Sequence, residues 1–170
     1  MQIALAAHRI AALASTTNNT APLAKKWQSL AEARCEEEGE RLTPARLEAY
    51  AELLSVRKPV SAYELIARLE KRQGKKIAPQ TVYRHLDFLM RVGLAHRIES
   101  TQSYLPCEHP DHLHDSPYLL CSSCGQADEV ESAPLESLLG EIASQRGFRP
   151  KNSVVEIKGI CGDCEDEDAD

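Results

Sequence analysis

Over residues 23–93 apolar positions recur at intervals of three and four, the spacing of helices that each bury one face. The first such stretch, LAKKWQSLAEARCEEEGE (23–40), carries Leu23, Trp27, Leu30, Ala31 and Ala33 as an imperfect stripe. Thr43 before Pro44 marks a second helix start: threonine can accept from an orphan amide, and proline at the first helical position gives up no needed donor. Leu47, Tyr50, Ala51 and Leu54 follow, which predicts a helix over 44–55. Ser61 caps a third helix with Leu65, Ile66 and Leu69 inward, and Gly74 with Lys75 and Lys76 closes it. In APQTVYRHLDFLMRVG, Val82, Leu86, Leu89 and Met90 share one side and Gly93 suits a C-terminal stop.

Beyond Gly93 the period shortens. Residues 94–99 and 103–105 read as two strands joined by a polar turn, so helices followed by a hairpin predict a winged helix-turn-helix. The helix near 80–92 would then enter a major groove. Residues 118–120 and 127–130 read as strands around the tight CSSCG, Leu135, Leu138, Leu139 and Ile142 as a helix ended by Gly147, and 152–160 as a β-branched strand. The expected class is α+β. A winged-helix domain spans 23–100, a hinge 101–106 and a small α/β domain 107–164, flanked by an Ala-rich extension (1–22) and a disordered acidic tail (165–170). No apolar run approaches the roughly 18 residues of a membrane span. The opening MQIALAAHRIAALA, interrupted by His8 and Arg9, reads as an extension and not as a secretory signal.

Charge sharpens this division. The formal net charge is -6, yet residues 41–97 hold 12 Lys and Arg against 5 Asp and Glu, a net of +7, and residues 98–170 hold 4 against 16, a net of -12. Only the middle of the chain is suited to meet a polyanion.

Four of the six cysteines form two pairs, Cys121 with Cys124 and Cys161 with Cys164, each separated by two residues. Zinc in a structural site takes four thiolates tetrahedrally, and each tight turn presents two sulfurs. A thioredoxin-like dithiol would use one pair and leave the other idle, so the pairs point to a structural four-cysteine zinc site in a reducing compartment. Cys35 stands alone and reads as a small helix residue with a free thiol. Outside the closed set lie His96, Cys107, His114 and Glu129, with His109 and His112 as alternates. Singly each could be a solvated side chain; together they flank the junction of the two halves, and a metal held by them would tie those halves together.

RLTPARLEAY, SAYELIARLE, PQTVYRHLDFL, GLAHRIES, the His-rich loop, and CSSCG paired with CGDC resemble, in order and spacing over about 23–164, the ferric uptake regulator superfamily. The run LDFL-x3-G-x2-H-x-IEST-x-SY most resembles its zinc-uptake branch. The resemblance implies that the second domain dimerises, that its thiolate site is structural, and that a regulatory zinc is held by His96, Cys107, His114 and Glu129, with His112 the rival of His114. It also implies base-facing roles for Tyr63 and Arg84, and Thr81 and Tyr83 complete the expected DNA-binding set. Arg84 has independent support, since a guanidinium near the start of a recognition helix can grip guanine through two acceptors. For Tyr83 a core position and a sugar-phosphate contact are both open. The Ala-rich first 22 residues depart from the usual short start of the family.

The implied function is a cytoplasmic, zinc-responsive transcriptional regulator, mainly a repressor of zinc-uptake genes, that binds near-palindromic operators as a homodimer. It would carry two zinc ions per chain, with one or two dimers on an operator. A member sensing iron, manganese or peroxide is the alternative. A zinc hydrolase would need an open coordination position and a general base that the sequence does not offer.

Overall fold

The structure is a computed structural model and describes residues 20–56, 58–107, 117–130 and 132–167. Four helices open it: α1 (Thr20–Glu37), α2 (Pro44–Leu54), α3 (Ala62–Gln73) and α4 (Pro79–Arg91). The capping logic holds at atomic level. The Thr43 hydroxyl accepts from the Arg46 amide at 3.4 Å, the Ser61 hydroxyl accepts from the Glu64 amide at 3.2 Å, and Gly74 ends α3 at φ 67°, a left-handed conformation that side chains resist.

The core joins Ala31 and Cys35 of α1, Tyr50 and Leu53 of α2, Leu65, Ile66 and Leu69 of α3, and Val82, Leu86, Phe88 and Leu89 of α4. Cys35 is therefore a packing residue, and burial raises its thiol pKa. Three details differ from the periodicity: on α1, Ala33 is exposed and Cys35 takes the inward place. The buried stripe of α2 is Ala49, Tyr50 and Leu53, because α1, α3, α4 and the sheet surround this central helix and set which face is innermost. On α4, Phe88 is fully buried and Met90 only partly. The Arg46 guanidinium lies over the Phe88 ring at 3.6 Å, so a cation stacked on an aromatic face completes that packing.

A three-stranded sheet in the order β1-β3-β2 forms the wing: β1 (Val60–Ser61), β2 (Ala95–Ile98) and β3 (Ser103–Pro106), all antiparallel. β3 occupies most of the stretch expected as a hinge at 101–106. Two residues of β1 are too few to show a period, and only pairing with β3 reveals them.

The second sheet has the order β5-β4-β6, from β4 (Tyr118–Cys121), β5 (Ala127–Glu129) and β6 (Glu156–Gly159). β4 pairs antiparallel with β5 and parallel with β6, and α5 (Ala133–Gln145) makes the crossover that a parallel pair requires. α6 (Gly162–Glu167) then carries the start of the acidic run expected to be disordered at 165–170. The two sheets share a small apolar cluster of Ile98 and Leu105 from the wing with Tyr118 and Leu120 from β4. Among the described residues no helix is long and apolar enough to cross a membrane.

Candidate metal centres and nucleic-acid interface

Cys121 ends β4, Cys124 closes the turn into β5, and Cys161 and Cys164 flank the start of α6. The parallel register sets Cys121 opposite Gly159, two residues before Cys161, and so returns the chain beside its own start. Cys121 Sγ lies 3.9 Å from Cys164 Sγ, and Cys124 Sγ lies 3.8 Å from Cys161 Sγ. A regular tetrahedron with zinc–sulfur bonds of about 2.3 Å has edges of about 3.8 Å, so the spacing suits a four-coordinate ion. It is far too long for a disulfide, and all four thiols are free.

The electrostatics agree. Amides of Cys124 and Cys161 point at Cys121 Sγ from 3.5 Å and 3.3 Å and draw its pKa down to about 6. The Cys164 amide pulls Cys161 in the same direction, but the adjoining sulfurs of Cys164 and Cys121 outweigh it and push Cys161 up to about 12. The Cys121 thiolate forms readily while Cys161 and Cys164 resist ionising, an imbalance that a divalent cation removes.

His96, Cys107 and Glu129 form the second cluster, with one ligand atom from each lying within 4.8 Å of the others. His96 comes from the middle of the wing strand β2, Cys107 follows β3, and Glu129 ends β5 on the other sheet. Cys107 is fully buried, and its amide donates to the Leu94 carbonyl at 3.0 Å, which holds it against the entry to β2. The His96 ring packs on Tyr118 with centroids 5.7 Å apart, and Tyr118 is the register partner of Glu129. Imidazole, thiolate and carboxylate from three segments thus converge where the domains meet, a donor set suited to zinc. His114 and its alternates His109 and His112 lie outside the described residues.

On α4, Thr81, Tyr83 and Arg84 are exposed, as is Tyr63 near the start of α3. Tyr83 therefore belongs to the surface and not to the core. Lys71 and Lys75 add exposed positive charge, while Arg72 and Lys76 are engaged by Glu52 at 2.7 Å and Glu70 at 2.9 Å.

Polar contacts that cross between the domains carried no sequence signal. Lys58 Nζ donates to the Cys124 carbonyl, and the Glu156 carboxylate accepts from the amides of Glu99 and Ser100 in the wing turn. An isolated Lys or Glu on a polar surface has no local pattern that would reveal such a partner.

Known proteins are similar to this chain in sequence and in fold. A sequence model of the Ferric uptake regulator family matches residues 37–158. The zinc uptake regulation protein of Escherichia coli (strain K12) is 35% identical over 140 residues, which cover 82% of this chain and 81% of that protein. A solved zinc uptake regulator complexed with zinc and DNA superposes with a TM-score of 0.83 at 32% identity, covering 90% of this chain and all of that one. The holo form of XcZur gives 0.76 at 36% identity, covering 84% of this chain and 99% of that one. With the matched model and these relatives in agreement, the chain belongs to the ferric uptake regulator family.

Proposed function

We propose that this chain is a zinc-responsive, DNA-binding transcriptional regulator, mainly a repressor of zinc-uptake genes, that engages near-palindromic operators as a metal-loaded homodimer. The observation that carries this reading is the convergence of His96, Cys107 and Glu129 across the junction between the winged domain and the second sheet. These residues, with His114, would hold a regulatory zinc, and Cys121, Cys124, Cys161 and Cys164 a structural one, two ions per chain. The regulatory ion would supply the positive charge that lets the donors of two domains share one point. His96 and Cys107 then hold the winged domain at a set angle to the sheet, and paired winged helices can meet consecutive major grooves. Similarity to the E. coli zinc uptake regulation protein and to the zinc- and DNA-bound structure supports zinc and duplex DNA as partners.

The thiolate favours zinc over iron or manganese, which nitrogen and oxygen donors alone would suit. A homodimer is supported by the segment from α5 through β6: among the described residues α5 has none buried, and Leu138 and Ile142 of α5, Phe148 and Val154 of the connection and Ile157 of β6 are half-exposed or more. An apolar face of this extent calls for a partner, and a second copy brings the same face.

The test is binding to an operator selected from random duplexes, measured across buffered zinc and Fe(II). Tight binding should appear only as zinc rises. A tight complex in chelator, or one restored by iron alone, would reject the reading. Arg84→Ala is expected to cost about 1–3 kcal/mol at the base pair it grips and to relax preference there. Competition between the selected operator and single-base variants measures this; a uniform loss at every sequence would make Arg84 a phosphate contact.

A further inference from the structure

The wing of this protein is docked. Ile98 and Leu105 of the wing strands pack on Tyr118 and Leu120 of β4, and Glu156 at the start of β6 meets the turn of the wing beside them. Its carboxylate accepts from the Glu99 amide at 2.6 Å and the Ser100 amide at 3.1 Å, and the Ser100 side chain beside it helps to lower the carboxyl's pKa. These amides lie in the turn between β2 and β3, where an outside acceptor meets them. The Glu99 carboxylate would repel Glu156, but Arg97 engages it from 3.4 Å.

The register places this latch relative to the metal cluster. Tyr118 stands opposite Glu129 on β5 and opposite Glu156 on β6, so the three residues form one row across the sheet. Partners in register share a sheet face. At one end of the row Glu129 meets His96 and Cys107; at the other Glu156 meets the wing turn. Two carboxylates, one strand away on either side of Tyr118, thus hold two points along β2 and the turn that follows it.

We infer that Glu156 is a positioning residue for DNA binding: it clasps the wing turn, so the wing serves as the docking element that sets the domain angle together with the metal cluster. This rests on the reading of the chain as a zinc-responsive DNA-binding protein. If both ends of the row favour the same closed arrangement, they are thermodynamically coupled, and weakening the clasp must weaken zinc at the other end.

Glu156→Gln keeps the shape but faces an amide nitrogen toward one of the wing N–H donors, so one bond is lost and a repulsion added. In the full-length zinc-loaded dimer this variant should bind the selected operator about tenfold more weakly, the scale of a charge-assisted hydrogen bond. Its affinity for the second zinc, measured without DNA, should fall in the same direction, with the four-cysteine zinc and the dimer retained. A wing contact to DNA, by contrast, would leave zinc affinity alone. Unchanged operator and zinc affinity would overturn the inference. Ser100→Ala removes the hydroxyl beside this carboxylate without touching β6 and should show a smaller loss of the same kind; if Glu156→Gln fails to fold and Ser100→Ala matches wild type, the clasp is also refuted. Should the wild-type protein bind no operator, the functional reading fails separately. The clasp is then judged by the distance between spin labels on the two domains at saturating zinc, which should broaden in Ser100→Ala and would count against it if unchanged.

Discussion

Cys107→Ser is expected to lower the zinc content of the purified dimer to one ion per chain and to weaken zinc-dependent operator binding by about a hundredfold or more. Changes to groups that merely orient a ligand already cost about 10–100-fold in metal affinity, and Cys107 is proposed as a ligand itself. A serine hydroxyl stays protonated at neutral pH and is a poor match for an ion that takes thiolate at about 2.3 Å. The fold should survive, because Cys107 is tied to Leu94 through its backbone amide at 3.0 Å, a bond that does not depend on the side chain. The swap places a hydroxyl in a fully buried site, which costs about 1–3 kcal/mol where no acceptor meets it. Zinc counting by mass spectrometry and binding at buffered zinc give the readout together. If metal content and zinc-dependent binding are both unchanged, the regulatory assignment of Cys107 is wrong.

A larger structural effect is expected from Cys121→Ser. Cys121 Sγ receives two backbone amides and approaches Cys164, so the site is organised around it. Structural zinc in small domains contributes apparent free energies of about 10–16 kcal/mol, comparable with or above the whole stability of a typical domain, about 5–15 kcal/mol. The second sheet has three short strands and a helix with none of its residues buried, and little else closes it. The variant should lose the structural zinc, the dimer and the C-terminal secondary structure, while the winged domain, which has its own core, unfolds in a separate transition. Sedimentation, zinc content and circular dichroism read these losses. A zinc-poor variant that remains a fully folded dimer would show that the thiolate site is not what holds this half together.

Much of the winged domain was legible because its signals are local. Thr43-Pro44, Ser61 and Gly74 act within one helical turn, and the helices they bound differ from expectation by a residue or so at each end. The stripe of α2 was less legible, since a helix enclosed by three others and a sheet has no strongly polar side to orient the pattern. Phe88 was hidden for a related reason: the cation over its ring comes from Arg46, far away in sequence. The four-cysteine cluster was legible because two-residue spacing is a chemical constraint as well as a local one. For the second cluster the sequence held candidates, and geometry brings three of them together.

Local sequence was enough to set the helices, the thiolate pairs, the basic and acidic halves, and a group of donors around the domain junction. Each depends on residues within a few positions of one another, or on the demands of a metal. Only the folded chain establishes that β1 joins the wing, that Tyr118 stands between Glu129 and Glu156, and that Glu156 reaches the wing turn 56 residues away. Those facts depend on strand register, which is set by packing over the whole sheet, and a one-residue slip would turn both carboxylates to the opposite face.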